Sequence, residues 1–338
     1  MARLLLHVFV CALVLSPRVG LAGDFKKSQY YRGIASSYAI SSVQKADIDG
    51  DGRDEALVCY REPDEAIGQQ GGVLVLAEAG DRFVVAWHAV FEGVYPEKVK
   101  VADRLFEFRL VQVGQEGKRR IDKTLVRGKD FFLRSDPKSP FYGVKFTASS
   151  SLKQPGIDAA NVFDRDLKTV WAEGAEGTGV DESIELRFAK PIDLGSIGVL
   201  HGDFRGRRFW QDSNRIHRAE VTAETEADRY DDESGVDFEE DLGLGLYGDR
   251  VELSFTNRPI MRYFKLHKHN VRSLELKITS VLLGEKNDDT YISEIDLAEL
   301  IPASAILGSK AGKRKTPEKG ATTRPAEESD DDWTDDDF

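Results

Sequence analysis

Asp47-Ile-Asp49-Gly50-Asp51-Gly52-Arg53-Asp54-Glu55 is the sharpest chemical signal in the chain. It sets oxygens at positions 1, 3 and 5, a glycine at 6 and an acid at 9. A hard cation takes about six to eight oxygens at ~2.3–2.6 Å, and this spacing wraps one with few residues. Without a cation the close carboxylates would repel. Asp47, Asp49, Asp51 and Glu55 are therefore candidate calcium ligands, the alternative being an Asp/Gly-rich turn with no ion. A second polar turn, Asp164-Arg-Asp166-Leu-Lys-Thr169-Val-Trp171, gathers oxygens beside an aromatic anchor. A third stretch, Gly202 to Asp212, holds three aromatics and three arginines. Aromatic faces stack on the apolar faces of sugar rings, and Arg and Asp satisfy hydroxyls. Phe204, Arg205, Trp210, Gln211 and Asp212 are thus candidate ligand contacts, against the reading that Phe209 or Trp210 plugs the core and the arginines are solvated. His267-Lys-His269 puts two imidazoles on one strand face, since side chains two apart share a face. That spacing can begin a metal site, although an exposed pair with no third ligand is the simpler reading. No paired acid/base, nucleophile motif or phosphate loop stands out; His88 has no Ser/His/Asp motif around it, and the chain is expected not to be an enzyme.

The Asp47 loop leads into a β-type run, Leu57 to Tyr60, not a helix, and position 12 is Val58, so an EF-hand is excluded. The loop resembles that of FG-GAP repeats, where calcium braces a β-hairpin. Only one copy is present, which argues against a propeller.

Strand-like runs around it, from Gly72 to Leu133, are expected to make a small antiparallel sheet or open barrel over residues 24–140. Arg119 and Arg120 read as a solvated loop. The Pro-containing stretch Ser135 to Pro140 reads as a linker. Residues 141–301 contain eight alternating runs, Lys145–Ser149, Ser183–Phe188, Ser196–His201, Arg218–Glu224, Arg250–Phe255, Tyr263–His267, Leu274–Leu283 and Tyr291–Leu297, which predict a jelly-roll β-sandwich without helices.

Within that half, several motifs occur in order: a Ser-Ser start, Asp164-x-Asp166-x-x-Thr169-x-Trp171, Trp171-Ala-Glu173-Gly174-x-x-Gly177-x-Gly179, Asn214-Arg215, and Ile292-Ser-Glu294-Ile295. They resemble the discoidin, or coagulation-factor type C, β-sandwich, in the variant found beside bacterial NAD glycohydrolases. The resemblance covers about residues 143–300. It implies a glycan-binding module with calcium under its loops, for which Asp164, Asp166, Thr169 and Glu294 would be ligands. The alternative is a cation-free loop in which Asp164 or Asp166 accepts backbone amides. Arg165 stands where discoidin modules commonly have glycine.

Composition sets the frame. The chain has 338 residues, 41% hydrophobic, with a formal net charge of −12. That length allows two domains, and that charge argues against nucleic acid as a partner. Residues 1–22 read as a signal peptide, with Arg3, an apolar run from Leu4 to Leu15 and a Gly-Leu-Ala cleavage site. The run is too short for a bilayer, which needs ~20 residues, and no later segment could span one. Removing it leaves one cysteine, Cys59, read as a small buried hydrophobe. Glu224 to Asp241 reads as a solvated acidic insertion. Residues 305–338 read as a disordered tail; its last twelve residues hold eight acids around Trp333 and end at Phe338.

The expectation is therefore a secreted or periplasmic, mainly β binding protein carrying structural Ca2+. Its partner would be a glycan or cell-envelope polysaccharide. The alternative is an envelope assembly protein whose acidic tail docks another protein. An accessory chain of an enzyme is a third reading.

Overall fold

The computed structural model describes residues 24–48, 51–64, 69–80, 82–102, 105–126, 139–225, 250–302 and 305. The expected signal segment and the expected tail beyond 305 lie outside the described residues, as does the expected acidic insertion from 226 on; its first residues, Glu224 and Thr225, end a strand rather than start a loop.

The chain is mainly β. After a 3-10 turn at Phe25–Lys27 comes a helix, α1 (Gln29–Ser37), which no pattern in the sequence suggests. Ser28 caps it, its hydroxyl accepting the Tyr31 amide. Tyr30, Gly33 and Ile34 form its buried face at the i, i+3, i+4 spacing. Gly33 is needed for close approach, because a Cβ there would lie 2.2 Å from the Met261 carbonyl oxygen.

Strands β1 (Ala39–Ala46), β2 (Glu55–Arg61), β3 (Gly71–Ala79) and β4 (Arg82–Phe91) follow as an antiparallel meander. β5 (Tyr95–Ala102), β6 (Leu105–Gly114) and β7 (Gly117–Val126) make a separate three-stranded antiparallel sheet. Leu57, Val73, Val75, Trp87, Phe106, Phe108 and Leu110 fill one core between the two. Arg119 and Arg120 correct the sequence reading: they lie on β7, opposite Gln112 and Val111, not in a loop. Both are exposed, and Arg120 Nε donates to Glu97 Oε2 at 3.1 Å.

The second half contributes β8 (Lys145–Ala148), the short β9 (Trp171–Ala172), β10 (Ser183–His201), β11 (Arg215–Thr225), β12 (Arg250–Ser254), β13 (Arg262–Leu282) and β14 (Tyr291–Ile301). Two of these are far longer than the alternation predicted. β10 merges two expected strands across Ala189-Lys-Pro-Ile-Asp193, and β13 merges two across His267 to Asn270. Register shifts mark both junctions. The interruptions are bulges and bends inside one strand, and bulges break period-2 alternation without ending pairing.

These bent strands let one hydrogen-bonded sheet fold over on itself. The first part of β10 pairs with β8 and the second part of β13; its last part pairs with β14 and the first part of β13. The enclosed core gathers Trp171, Ile184, Leu186, Ile197, Val199, Ile216, Leu253, Leu274, Ile295 and Leu297. This is the discoidin-like β-sandwich that the resemblance implied.

The sheet does not stop at the middle of the chain. β14 pairs in parallel with β4, Glu299 opposite Ala89, Leu300 opposite Val90 and Ile301 opposite Phe91. A further core mixes both halves: Tyr30, Ile34, Val58, Tyr60, Leu74 and Val85 with Leu167, Leu200, Met261 and Tyr263. Parallel neighbours need a long connection, which is why nothing local in the sequence announces this junction.

Candidate functional site

In the first acidic loop, each of three carboxylates has a local partner. Asp47 Oδ2 accepts the Gly52 amide at 3.0 Å, closing the loop, and Gly52 takes φ +85, a conformation glycine adopts freely. Asp51 is held by Arg53, whose amide donates at 2.9 Å and whose Nε donates at 2.8 Å; that guanidinium bond draws the Asp51 carboxyl below its usual range. Glu55, only 4% exposed, turns inward and accepts the Ile48 amide at 2.6 Å. Asp49 lies outside the described residues. The donor set suits a hard cation in composition, and an inward-turned buried carboxylate beside Asp47 is what such a loop needs. Against it, Arg53 already neutralises Asp51.

The second turn shows a different balance. The four candidates come from both ends of the sandwich, as expected, but hydrogen bonds occupy their oxygens. Asp164 accepts the Asp166 amide at 2.7 Å and the Thr169 hydroxyl at 2.6 Å. Asp166 accepts the Lys168 amide at 3.0 Å and pairs with Arg82 of β4. The Lys168 amide, and after it Arg82, hold the Asp166 carboxyl below its usual range. Glu294, buried on β14, accepts the Arg165 amide at 3.0 Å. Arg165 itself sits at φ 63, the left-handed region where glycine is at ease. Its guanidinium donates to the Ala86 carbonyl at 3.0 Å. The arginine in place of glycine thus ties the turn to β4, and the turn satisfies its own oxygens.

Trp171 anchors this loop. It is fully buried, and its Nε1 donates to the Ser150 carbonyl at 3.1 Å and Ser151 Oγ at 3.0 Å. Glu173 then turns inward, accepting the Thr290 amide at 3.1 Å and the Ala175 amide at 3.0 Å. Burial pushes its carboxyl up from the usual range. The glycines of the motif make room: a Cβ at Gly179 would lie 2.6 Å from Glu173 Cγ, and one at Gly174 would meet the Ser151 backbone at 2.6 Å. The Trp-x-Glu-Gly run is a brace between the first loop and β14.

The third stretch is a turn leading into a short helix, α2 (Arg207–Asp212), not a long loop. Arg215 holds it from below, its Nη1 donating to the carbonyls of Trp210 at 2.6 Å and Ser213 at 2.8 Å. The same guanidinium lies 4.5 Å from the Trp210 ring centroid. A Cβ at Gly202 would press on that ring at 2.7 Å. Trp210 is therefore packed inward. Asn214 completes the support by accepting the Gly284 amide at 2.7 Å.

What α2 offers outward is Phe209, 51% exposed. Arg205 lies between Phe209 and Tyr291, its guanidinium carbon 5.6 Å and 5.9 Å from the two ring centroids. Asp203, almost fully buried, fixes it with Nη2 donating at 2.6 Å. Asp212 pairs with Lys286 at 2.9 Å, and Gln211 is exposed on the same helix. Phe204 is half-buried, its amide donating to Ser293 Oγ at 2.9 Å. The sequence alone reads Phe209 only as a possible core plug, because a six-residue helix gives too little periodicity to say which of two adjacent aromatics faces out.

A buried polar chain was also missed. Tyr60 Oη lies 2.6 Å from His88 Nε2, and His88 Nδ1 lies 2.7 Å from Asp296 Oδ2, all three within 2% of full burial. Cys59 is buried as expected, and burial pushes its thiol up to about 12. No helix among the described residues is long and apolar enough to cross a membrane.

Residues 142–298, under half of the chain, match a family described as the NAD glycohydrolase translocation F5/8 type C domain. No curated protein matches the chain. Among solved structures, an arabinofuranosyltransferase from mycobacteria aligns at 17% identity and a TM-score of 0.34, over 46% of this chain and 11% of the transferase. The chain thus spans about a tenth of that enzyme's length. The F5/8 type C domain of a Bacteroides fragilis protein aligns at 14% identity and a TM-score of 0.32, over 47% of this chain and 93% of its own. A CBM32 module from Clostridium perfringens, solved with GalNAc-β-1,3-galactose, aligns at 14% identity and 0.32, over 46% and 94%.

Proposed function

We propose that the protein is an exported, non-catalytic binding protein that recognises a glycan through its discoidin-like half. The observation that carries this reading is the pairing of Phe209, exposed on α2, with an Arg205 guanidinium held rigid by Asp203. An aromatic face and a fixed fork of donors are the two elements a sugar ring needs, one for its C–H face and one for its hydroxyls. Asp203 and Tyr291 preorganise Arg205, so less rotamer entropy is lost on binding. Arg208, Gln211 and Asp212 border the same helix and supply further polar groups. The match of residues 142–298 to an F5/8 type C family supports the same reading.

A non-catalytic role is supported by where the ionisable groups lie. The Tyr60–His88–Asp296 chain has the chemistry of an acid–base relay, but its burial leaves no room for a substrate. Calcium belongs to the reading at the Asp47, Asp49, Asp51 and Glu55 loop, where it would brace the β1–β2 hairpin.

A glycan array with the full chain tests the proposal. A defined hit that Phe209→Ala and Arg205→Ala each weaken about 10-fold or more, with Trp210→Phe retaining binding, is the expected result. A blank array with folded protein, or a hit indifferent to both substitutions, refutes it.

A further inference from the structure

The two imidazoles of His267 and His269 do acquire a third partner, and it comes from the other half of the chain. Glu92, in the turn after β4, places Oε1 3.4 Å from His267 Nε2 and 3.7 Å from His269 Nε2. Ligand atoms of all three residues lie within 4.8 Å of one another. We propose that Glu92, His267 and His269 bind a divalent transition metal ion of the zinc class at the seam between the two halves.

The distances favour a metal over simple ion pairs. Hydrogen bonds from imidazole to carboxylate run ~2.7–3.2 Å, and both contacts here are longer. Ligands at the ~2.0–2.1 Å zinc bond length in a tetrahedron stand about 3.3 Å apart, which is close to the two distances from Glu92 to the imidazoles. The donor type also selects. Imidazole nitrogens with one carboxylate suit zinc, nickel or copper, whereas calcium and magnesium want oxygens.

The far side of each ring supports the assignment. Metal-bound histidines use their other nitrogen to hold an acceptor, which fixes ring and tautomer. His267 Nδ1 lies 2.9 Å from the Gln70 side-chain amide, and His269 Nδ1 lies 3.5 Å from Asp193 Oδ1. A primary amide can present either its oxygen or its nitrogen at the same position, so Gln70 Oε1 can accept the Nδ1 proton of a metal-bound His267. Asp193 is itself held in place, accepting the Asn270 amide at 2.9 Å.

The backbone is shaped around this cluster. His267 and Asn270 have φ of 52 and 53, unusual for side-chain-bearing residues. The register against β10 slips by one between Lys265 and Lys268. That bulge, not strand periodicity, brings both rings to Glu92. Side-chain exposures of 29–44% leave solvent access, so water can complete the coordination. The Glu92 amide donates to Ile301 at 3.0 Å, so a metal here would clamp β13 to the β4–β14 junction.

Isothermal titration of the full chain, free of any affinity tag, with Zn2+ tests the site, with Ca2+ as the control. One equivalent of Zn2+ should bind, with a rise in Tm that His267→Ala abolishes, whereas any rise that Ca2+ gives through the Asp47 loop should survive that substitution. His267→Ala and His269→Ala should each weaken Zn2+ binding at least about 100-fold, and Gln70→Ala roughly 10-fold, as loss of an outer partner does. Glu92→Gln, at a partly exposed turn, serves if either histidine variant misfolds. Zn2+ affinity unchanged in folded His269→Ala and Glu92→Gln variants, or no binding to the wild-type chain, overturns the proposal.

Discussion

His88 Nδ1 and Asp296 Oδ2 lie 2.7 Å apart, 208 residues apart in sequence, with both side chains buried. β4 carries one and β14 the other, the two strands that join the halves of the sheet. Removing one partner of such a pair leaves a buried polar atom of the other without its hydrogen bond, which costs about 1–3 kcal/mol. Asp296→Ala should lower unfolding free energy by that order in urea titration, and His88→Ala should do the same while also stranding the Tyr60 hydroxyl. A loss under ~1 kcal/mol in both would show that the pair contributes little to joining the halves.

His201 makes stability depend on pH. Its ring is fully buried, neither nitrogen has a well-formed side-chain partner, and burial, helped by the nearby Arg215 charge, lowers its pKa from 6.5 to about 3. Above pH ~6.5 the ring is neutral folded or unfolded and contributes no slope. Between about 6.5 and 3 only the unfolded chain takes the proton, so stability falls as pH falls, by roughly 1.4 kcal/mol per unit. His201→Leu should flatten the wild-type curve between pH 6.5 and 5, read as the difference in urea midpoints. Parallel curves would mean that the ring protonates in the folded state.

Calcium at the first acidic loop predicts a chelator effect. At a hundredfold excess of Ca2+ over Kd the folded state gains ~2.7 kcal/mol. EDTA should lower Tm, and Asp47→Asn should abolish the Ca2+ response while Asp164→Asn leaves it intact. The reverse pattern would move the cation to the second turn, where it would have to displace the Thr169 hydroxyl from Asp164.

Gly179 is a test of the brace around Glu173. Its φ of 80 and the 2.6 Å approach to Glu173 both exclude a Cβ. Gly179→Ala should cost ~1–3 kcal/mol by differential scanning calorimetry. Gly177→Ala, with a positive φ but open space around it, should cost less. Equal losses would assign the effect to backbone conformation alone.

The sequence was most readable where pattern is local. Alternation located β12 at Arg250–Ser254 to within a residue. The motif order around Trp171 pointed to a sandwich, and Cys59 in an apolar run pointed to burial. It was least readable where a strand bends. Pro191 in β10 and the His267–Asn270 bulge in β13 looked like ends of strands, since a bulge breaks periodicity as thoroughly as a turn does. The helix α1 was missed because its apolar face is three residues wide, among serines and tyrosines.

What the sequence by itself determined is what adjacent residues decide: a mainly β chain, inward-facing aromatics such as Trp171, and oxygen-rich turns at Asp47 and Asp164. Only the tertiary structure decided which of those groups meet. The parallel joining of β4 to β14, the His88–Asp296 pair, the Arg82–Asp166 pair and the convergence of Glu92 on His267 and His269 all link residues 84 to 210 positions apart. The physical reason is that hydrogen bonds and ion pairs act over a few ångströms of space, and distance along the chain carries no record of that until the strands are paired.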